Sequence, residues 1–184
     1  MTGYDQLLAA VLTPFGEPAA RRERERALTV LLRDHHDRAE ADLTAAVRAN
    51  PTGLQVPAVL ELLPFFSSPE VVAVLESLMN GDDPEIAAHA GIALGRVTDP
   101  TARSAIERSL ASTSAQTTAA AADAAATTTD PTYCAALRNR LTDESPVVRF
   151  HVVHALLTLD CLSAEDRAEL AQTEHDPDVT SLLA

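Results

Sequence analysis

The stretch Asp83-Pro84-Glu85-Ile86-Ala87-Ala88-His89-Ala90-Gly91-Ile92-Ala93-Leu94-Gly95-Arg96-Val97-Thr98-Asp99-Pro100 decides how this chain folds. Asp83 before Pro84 is a helix-start signal. The carboxylate accepts from the first unpaired amides, and proline suits the first helical position because it lacks only a donor that would have no partner there. Ile86, Ala90, Ala93, Leu94 and Val97 then fall on one face of an α-helix. Asp99-Pro100 ends that helix and begins another.

The same grammar recurs every 31 residues. Pro84, Ala115, Pro146 and Pro177 each follow Asp or Ser at that step, and Pro69, Pro100 and Pro131 keep it within the units. A fixed period of this size means stacked supersecondary units, none of which can bury its apolar face alone. Aligned on the period, Ile86, Thr117, Val148 and Val179 share a position, as do Ala90, Ala121, Val152 and Leu183. Ala93, Ala124 and Ala155 form a third set, Leu94, Ala125 and Leu156 a fourth, and Val97, Thr128 and Leu159 a fifth. A second helical stripe aligns Val71/Ala102/Tyr133, Val74/Ala105/Ala136, Leu75/Ile106/Leu137 and Met79/Leu110/Leu141. Each unit therefore reads as a helical hairpin, with helices expected near 84–97, 115–128 and 146–159.

Upstream the pattern is looser. Leu28, Leu31, Leu32, Leu43 and Val47 supply one pair of stripes, and Val59, Leu60, Leu62 and Leu63 another. Pro64 is expected to stop or kink the latter helix. The organisation expected is one domain over 1–184. It comprises an N-terminal cap at 1–19, repeats at 20–51, 52–82, 83–113, 114–144 and 145–175, and a truncated C-terminal cap at 176–184. The helix from Ala115 to Thr128 uses Ala and Thr where its neighbours use Ile, Val and Leu, so its layer is expected to bury least and open first.

The 83–100 stretch resembles the HEAT-like repeat, specifically the short type noted in phycobilisome (PBS) lyases. Ser145-Pro146-Val147-Val148-Arg149-Phe150-His151-Val152-Val153-His154-Ala155-Leu156 is similar to it as well, including Arg149 after the apolar position. The resemblance is strong over 69–184 and weaker over 20–68. It implies an all-α, right-handed α-α superhelix: a HEAT-like, armadillo-like α-solenoid of about five helical hairpins. It says little about activity, since such repeats serve adapters, lyases, hydroxylases and regulators alike.

Composition narrows the partners. All 14 basic residues are Arg, set against 27 acids for a net charge of -13. Residues 1–50 hold 7 Arg and 8 acids (net -1), whereas 51–184 hold 7 Arg and 19 acids (net -12). Such a surface repels a phosphate backbone and an anionic membrane, so neither nucleic acid nor membrane is expected as a partner. No membrane-spanning run or basic leader is visible, and Cys134 and Cys161 lie outside any Cys-x-x-Cys motif. Two reduced thiols in a cytoplasmic protein are expected.

Catalytic signatures are missing at the level of motif. Asp34-His35-His36-Asp37 gathers ligand types, but neighbours on a helix diverge by about 100°. His89 and His151 are two layers apart, and His151 and His154 find no acid on a matching face in the sequence. His-Glu dyads, Gly-x-Ser-x-Gly and Gly-x-Gly-x-x-Gly do not occur. No catalytic, cofactor or metal residue is assigned, and a non-enzyme without cofactor is expected. The expected role is a protein-binding adapter or regulator working through its concave face. Subtracting the core stripe leaves Glu70, Glu76, Ser77, Ser104, Glu107, Arg108, Arg138 and Asn139 on that ridge. The alternative is an accessory subunit of a lyase or biosynthetic enzyme, with a toxin-neutralising immunity protein as a third reading.

Overall fold

The computed structural model describes residues 3–12, 18–53 and 55–184; residues 1–2 and 13–17 of the expected N-terminal cap, and Leu54, lie outside them. Among the described residues every regular element is helical. In order these are α1 (Gly3–Leu12), α2 (Pro18–Asp34), α3 (His36–Ala49), α4 (Val56–Leu60), α5 (Pro69–Met79), α6 (Pro84–Leu94) and α7 (Thr101–Leu110). There follow α8 (Ala115–Thr128), α9 (Cys134–Arg138), α10 (Pro146–Thr158), α11 (Ala164–Thr173) and α12 (Pro177–Leu183). Single 3-10 turns occupy Leu63–Phe65 and Pro131–Tyr133.

The starts are set by the signals that the period carries. Asp83 Oδ1 accepts from the amides of Glu85 and Ile86 at 3.0 and 3.1 Å. Asp176 does the same for Asp178 and Val179 at 3.0 and 3.2 Å, and Ser114 Oγ accepts from Thr117 at 3.3 Å. Ser145 departs from the pattern: its side chain caps nothing, and its own amide donates to Asp143 Oδ1 at 3.0 Å.

Helices α4, α6, α8, α10 and α12 pack side by side in that order, while α3, α5, α7 and α9 form a second row. The register read from the sequence is the core. Ile86, Thr117, Val148 and Val179 are all buried, and so are Ala90, Ala121, Val152 and Leu183. The second stripe is buried at Val71, Ala102, Tyr133, Leu75, Ile106 and Leu137, but Ala136 and Leu141 are only half-buried. That difference follows from α9, which is a single turn and a half after a 3-10 turn.

Two contacts show how close the central layers come. A Cβ built on Gly91 would lie 2.2 Å from the Ala120 carbonyl oxygen, and one on Gly95 would lie 2.4 Å from that of Ala124. The backbone of α8 therefore rests directly on Gly91 of α6 and on Gly95, which caps that helix, a closeness that only small residues permit. The threonines in α8 are satisfied: Thr117 Oγ1 lies 3.3 Å from the Met79 carbonyl, and Thr118 Oγ1 3.2 Å from that of Ser112.

At the front, α1 packs on α2, and its Tyr4 hydroxyl donates to Asp42 Oδ2 of α3 at 2.7 Å. Burial, reinforced by that bond, pushes the phenol up to about 12. Arg24, buried on α2, donates to the Val11 carbonyl at 2.9 Å and to Glu61 at 2.9 Å, tying the cap to the next layer.

Candidate interaction surface

The second-helix row exposes what the core stripe leaves over. Glu70, Ser77, Ser104, Glu107, Arg108, Arg138 and Asn139 are exposed, and Glu76 is half-buried. They belong to α5, α7 and α9 with the residue that caps it, so successive layers bring them along one side of the stack.

What the sequence missed is that the charges in this row are paired. Arg48 of α3 meets Glu70 of α5. Arg108 of α7 grips Glu76 of α5 with two bonds, Nε to Oε1 at 3.1 Å and Nη2 to Oε2 at 2.8 Å. Arg103 bonds Glu107 at 3.0 Å within α7 and reaches Asp130 of the next layer at 3.6 Å. Arg138 of α9 lies 3.3 Å from Asp166 of α11 and donates to the Cys161 carbonyl. Opposite charges near one period apart, such as Glu76 and Arg108, are the signal that could have revealed this lacing. Exposed pairs of this kind add little stability. They link one layer to the next, so opposite charges alternate along the row. Ser77, Ser104 and Asn139 carry no such partner among the described residues.

Four of the six histidines make local contacts. His35 stands edge-on to Tyr4, with ring centroids 5.3 Å apart, and His36 lies against Phe66 at 5.1 Å. His89 Nδ1 sits 2.8 Å from the Glu85 carbonyl of its own helix, and His154 is exposed. His151 corrects the sequence reading: an acid does face it, Asp123 of α8, with Oδ1 2.8 Å from Nδ1. Among the described residues no three His, Cys, Asp or Glu side chains group as a metal site.

A cleft of about 300 Å³ lies between α10, α11 and α12, lined by Leu141, Val153, Leu170 and Val179, with Arg149 and Glu174 on its wall. Arg149 makes four hydrogen bonds within the fold. Its Nε and Nη2 donate to Glu174 at 2.8 and 2.9 Å, and its Nη1 to the carbonyls of Asp143 and Glu144. The bonds from Arg149 hold the Glu174 carboxyl down at about 2, against the opposing pull of burial. The pair is a structural tie between layers, with four of the five guanidinium donors committed to it and to the adjoining loop. Cys134 and Cys161 also depart from expectation: they are not free thiols but are joined, with Cα atoms 6.0 Å apart.

Residues 42–126 match the protein-family model described as HEAT repeats. The match runs from within α3 to within α8, and the fold is all-α and HEAT-like, with two stacked rows of helices. No curated protein matches it. No helix among the described residues is long and apolar enough to cross a membrane.

Proposed function

We propose that this protein is a non-catalytic interaction module, an adapter or regulator that docks a protein partner on its second-helix face. The observation that carries the reading is the row of exposed polar side chains on α5, α7 and α9, held in register by ion pairs between layers. Stacked repeats present such rows on a stiff backbone, which lowers the ordering cost of binding. The net charge of -12 over residues 51–184 favours a partner with a basic surface, through steering and through exclusion of acidic competitors.

Photo-crosslinking amino acids placed singly at Ser77, Ser104 and Asn139 in living cells test this. All three positions should capture the same protein, while Glu85, Gln116 and Val147 on the first-helix row should not. Capture from the first-helix row alone would overturn the reading.

Reversing Arg108 by itself would set two carboxylates against each other and confuse docking with repulsion inside the fold. The double swap Glu76→Arg with Arg108→Glu keeps the pair and inverts the pattern presented. It should leave the melting temperature within about 2 °C of the parent protein, since exposed pairs contribute little, and abolish capture at Ser104. Retained capture would remove this pair from the docking surface.

A further inference from the structure

Cys134 opens α9, and Cys161 lies in the loop between α10 and α11. Their Cα atoms are 6.0 Å apart, inside the range a disulfide spans without backbone movement. Neither position is loose. Helix α10 closes with Asp160 in the left-handed region at φ 54°. The Asp160 amide donates to the Leu157 carbonyl at 3.1 Å, and the Cys161 amide to that of Leu156 at 2.7 Å. These two bonds make a Schellman motif, which fixes the backbone that carries Cys161. From the other side Arg138, one helical turn beyond Cys134, donates to the Cys161 carbonyl and pairs with Asp166 at 3.3 Å. Helix α9 therefore grips the same loop twice, once through sulfur and once through a guanidinium. It has little else to hold it, because Leu137 is its one buried residue.

Both cysteines are half-buried, so a small thiol or disulfide can reach the sulfurs. Reachable bridges of this kind are the exchangeable ones, whereas fully buried bridges resist reduction. The chain has two cysteines and no third to compete for either.

We propose that Cys134 and Cys161 form a reversible thiol–disulfide site that exchanges with a low-molecular-weight disulfide such as glutathione disulfide, and that its closure clamps α9 to the loop between α10 and α11. In the closing direction one cysteine thiolate attacks a sulfur of glutathione disulfide. A mixed disulfide forms and one glutathione leaves as thiolate, taking up the proton the cysteine lost. The second cysteine thiolate attacks the protein sulfur of that mixed disulfide, the 134–161 bond forms, and the second glutathione leaves in the same way. Two electrons pass from the protein thiols to glutathione disulfide, and two glutathione thiols are produced. Reduced glutathione reverses both steps. The consequence is local: closure orders the end of the second-helix row that carries Arg138 and Asn139. The site does not depend on what docks there.

The test uses the full chain equilibrated with glutathione buffers from fully reduced to fully oxidised, quenched with iodoacetamide and read by intact mass. Hydrogen exchange is then measured on each form, with Cys134→Ser and Cys161→Ser as controls. The expected result is a monomer that moves between two alkylated thiols and an internal bridge across the glutathione range. Exchange in 131–141 and 159–166 should slow at least ~10-fold on closure, with 84–110 unchanged and no effect in either variant. Three outcomes would overturn it: persistent glutathione adducts or linked dimers in place of the internal bridge, a bridge that no glutathione ratio reduces, or equal protection in both forms.

Discussion

Thr129 and Glu174 show how single residues set the local energetics. Thr129 closes α8 at φ 56° and ψ 20°, in the left-handed region that a β-branched residue resists. Thr129→Gly removes that strain and should raise stability by about 1 kcal/mol in urea unfolding. Gly91 works in the opposite sense. Alanine there gains helix propensity but drives its Cβ into the Ala120 carbonyl, and a backbone atom cannot rotate aside. Gly91→Ala should therefore destabilise by roughly 1–3 kcal/mol. Glu174 gives a pH signature. Its carboxyl is held at about 2 against an ordinary 4.5, so its contribution is complete above about 4.5 and disappears as pH falls towards 2. By linkage this amounts to roughly 3 kcal/mol. Thermal melts should show the parent protein losing stability more steeply than Glu174→Gln between pH 4.5 and 2.5, with the two curves converging near 2. Parallel curves would show that Glu174 is not ionised through its tie to Arg149.

Among the helices, α6, α8 and α10 were legible because an Asp or Ser start and an apolar stripe recur in each, with Pro84 and Pro146 reinforcing two of them. The observed Pro84–Leu94, Ala115–Thr128 and Pro146–Thr158 lie close to the expected limits. Pro64 is expected to stop or kink its helix, and the break falls four residues earlier, after Leu60. A proline crowds the carbonyl of the residue four before it, so the helix ends there and the chain continues as a 3-10 turn. Helix α9 was read too long, because the stripe through Leu141 was visible while the 3-10 turn at Pro131–Tyr133 was not. Helix α8 is buried along most of its length between α6 and α10, but with small side chains. Ala121 is fully buried on it, so Ala121→Leu should cost about 1–3 kcal/mol by overpacking. With both cysteines reduced, amides of 115–141 should exchange faster than those of 84–110 and 146–159. Uniform protection would show that small side chains and a short α9 do not weaken this layer.

At the scale of the whole molecule, the period specifies the stack, and subtracting the core stripe finds the face that remains. The links across that face were not legible in the same way. Glu76 and Arg108 are 32 residues apart, Arg138 and Asp166 28, and Cys134 and Cys161 27, because side-chain reach and loop geometry displace each contact from the strict repeat. Residues 31 apart occupy equivalent places in successive layers, and the rest of the fold follows from that register. Electron–electron distance measurements test it most directly, with spin labels paired at Glu85 and Val147, then at Glu85 and Asp178, in a Cys134→Ser, Cys161→Ser background. Helix spacing of about 8–10 Å per layer predicts separations near ~20 and ~30 Å, increasing with each layer crossed. A Glu85–Asp178 distance no longer than that from Glu85 to Val147 would contradict the stacked register and the face built on it.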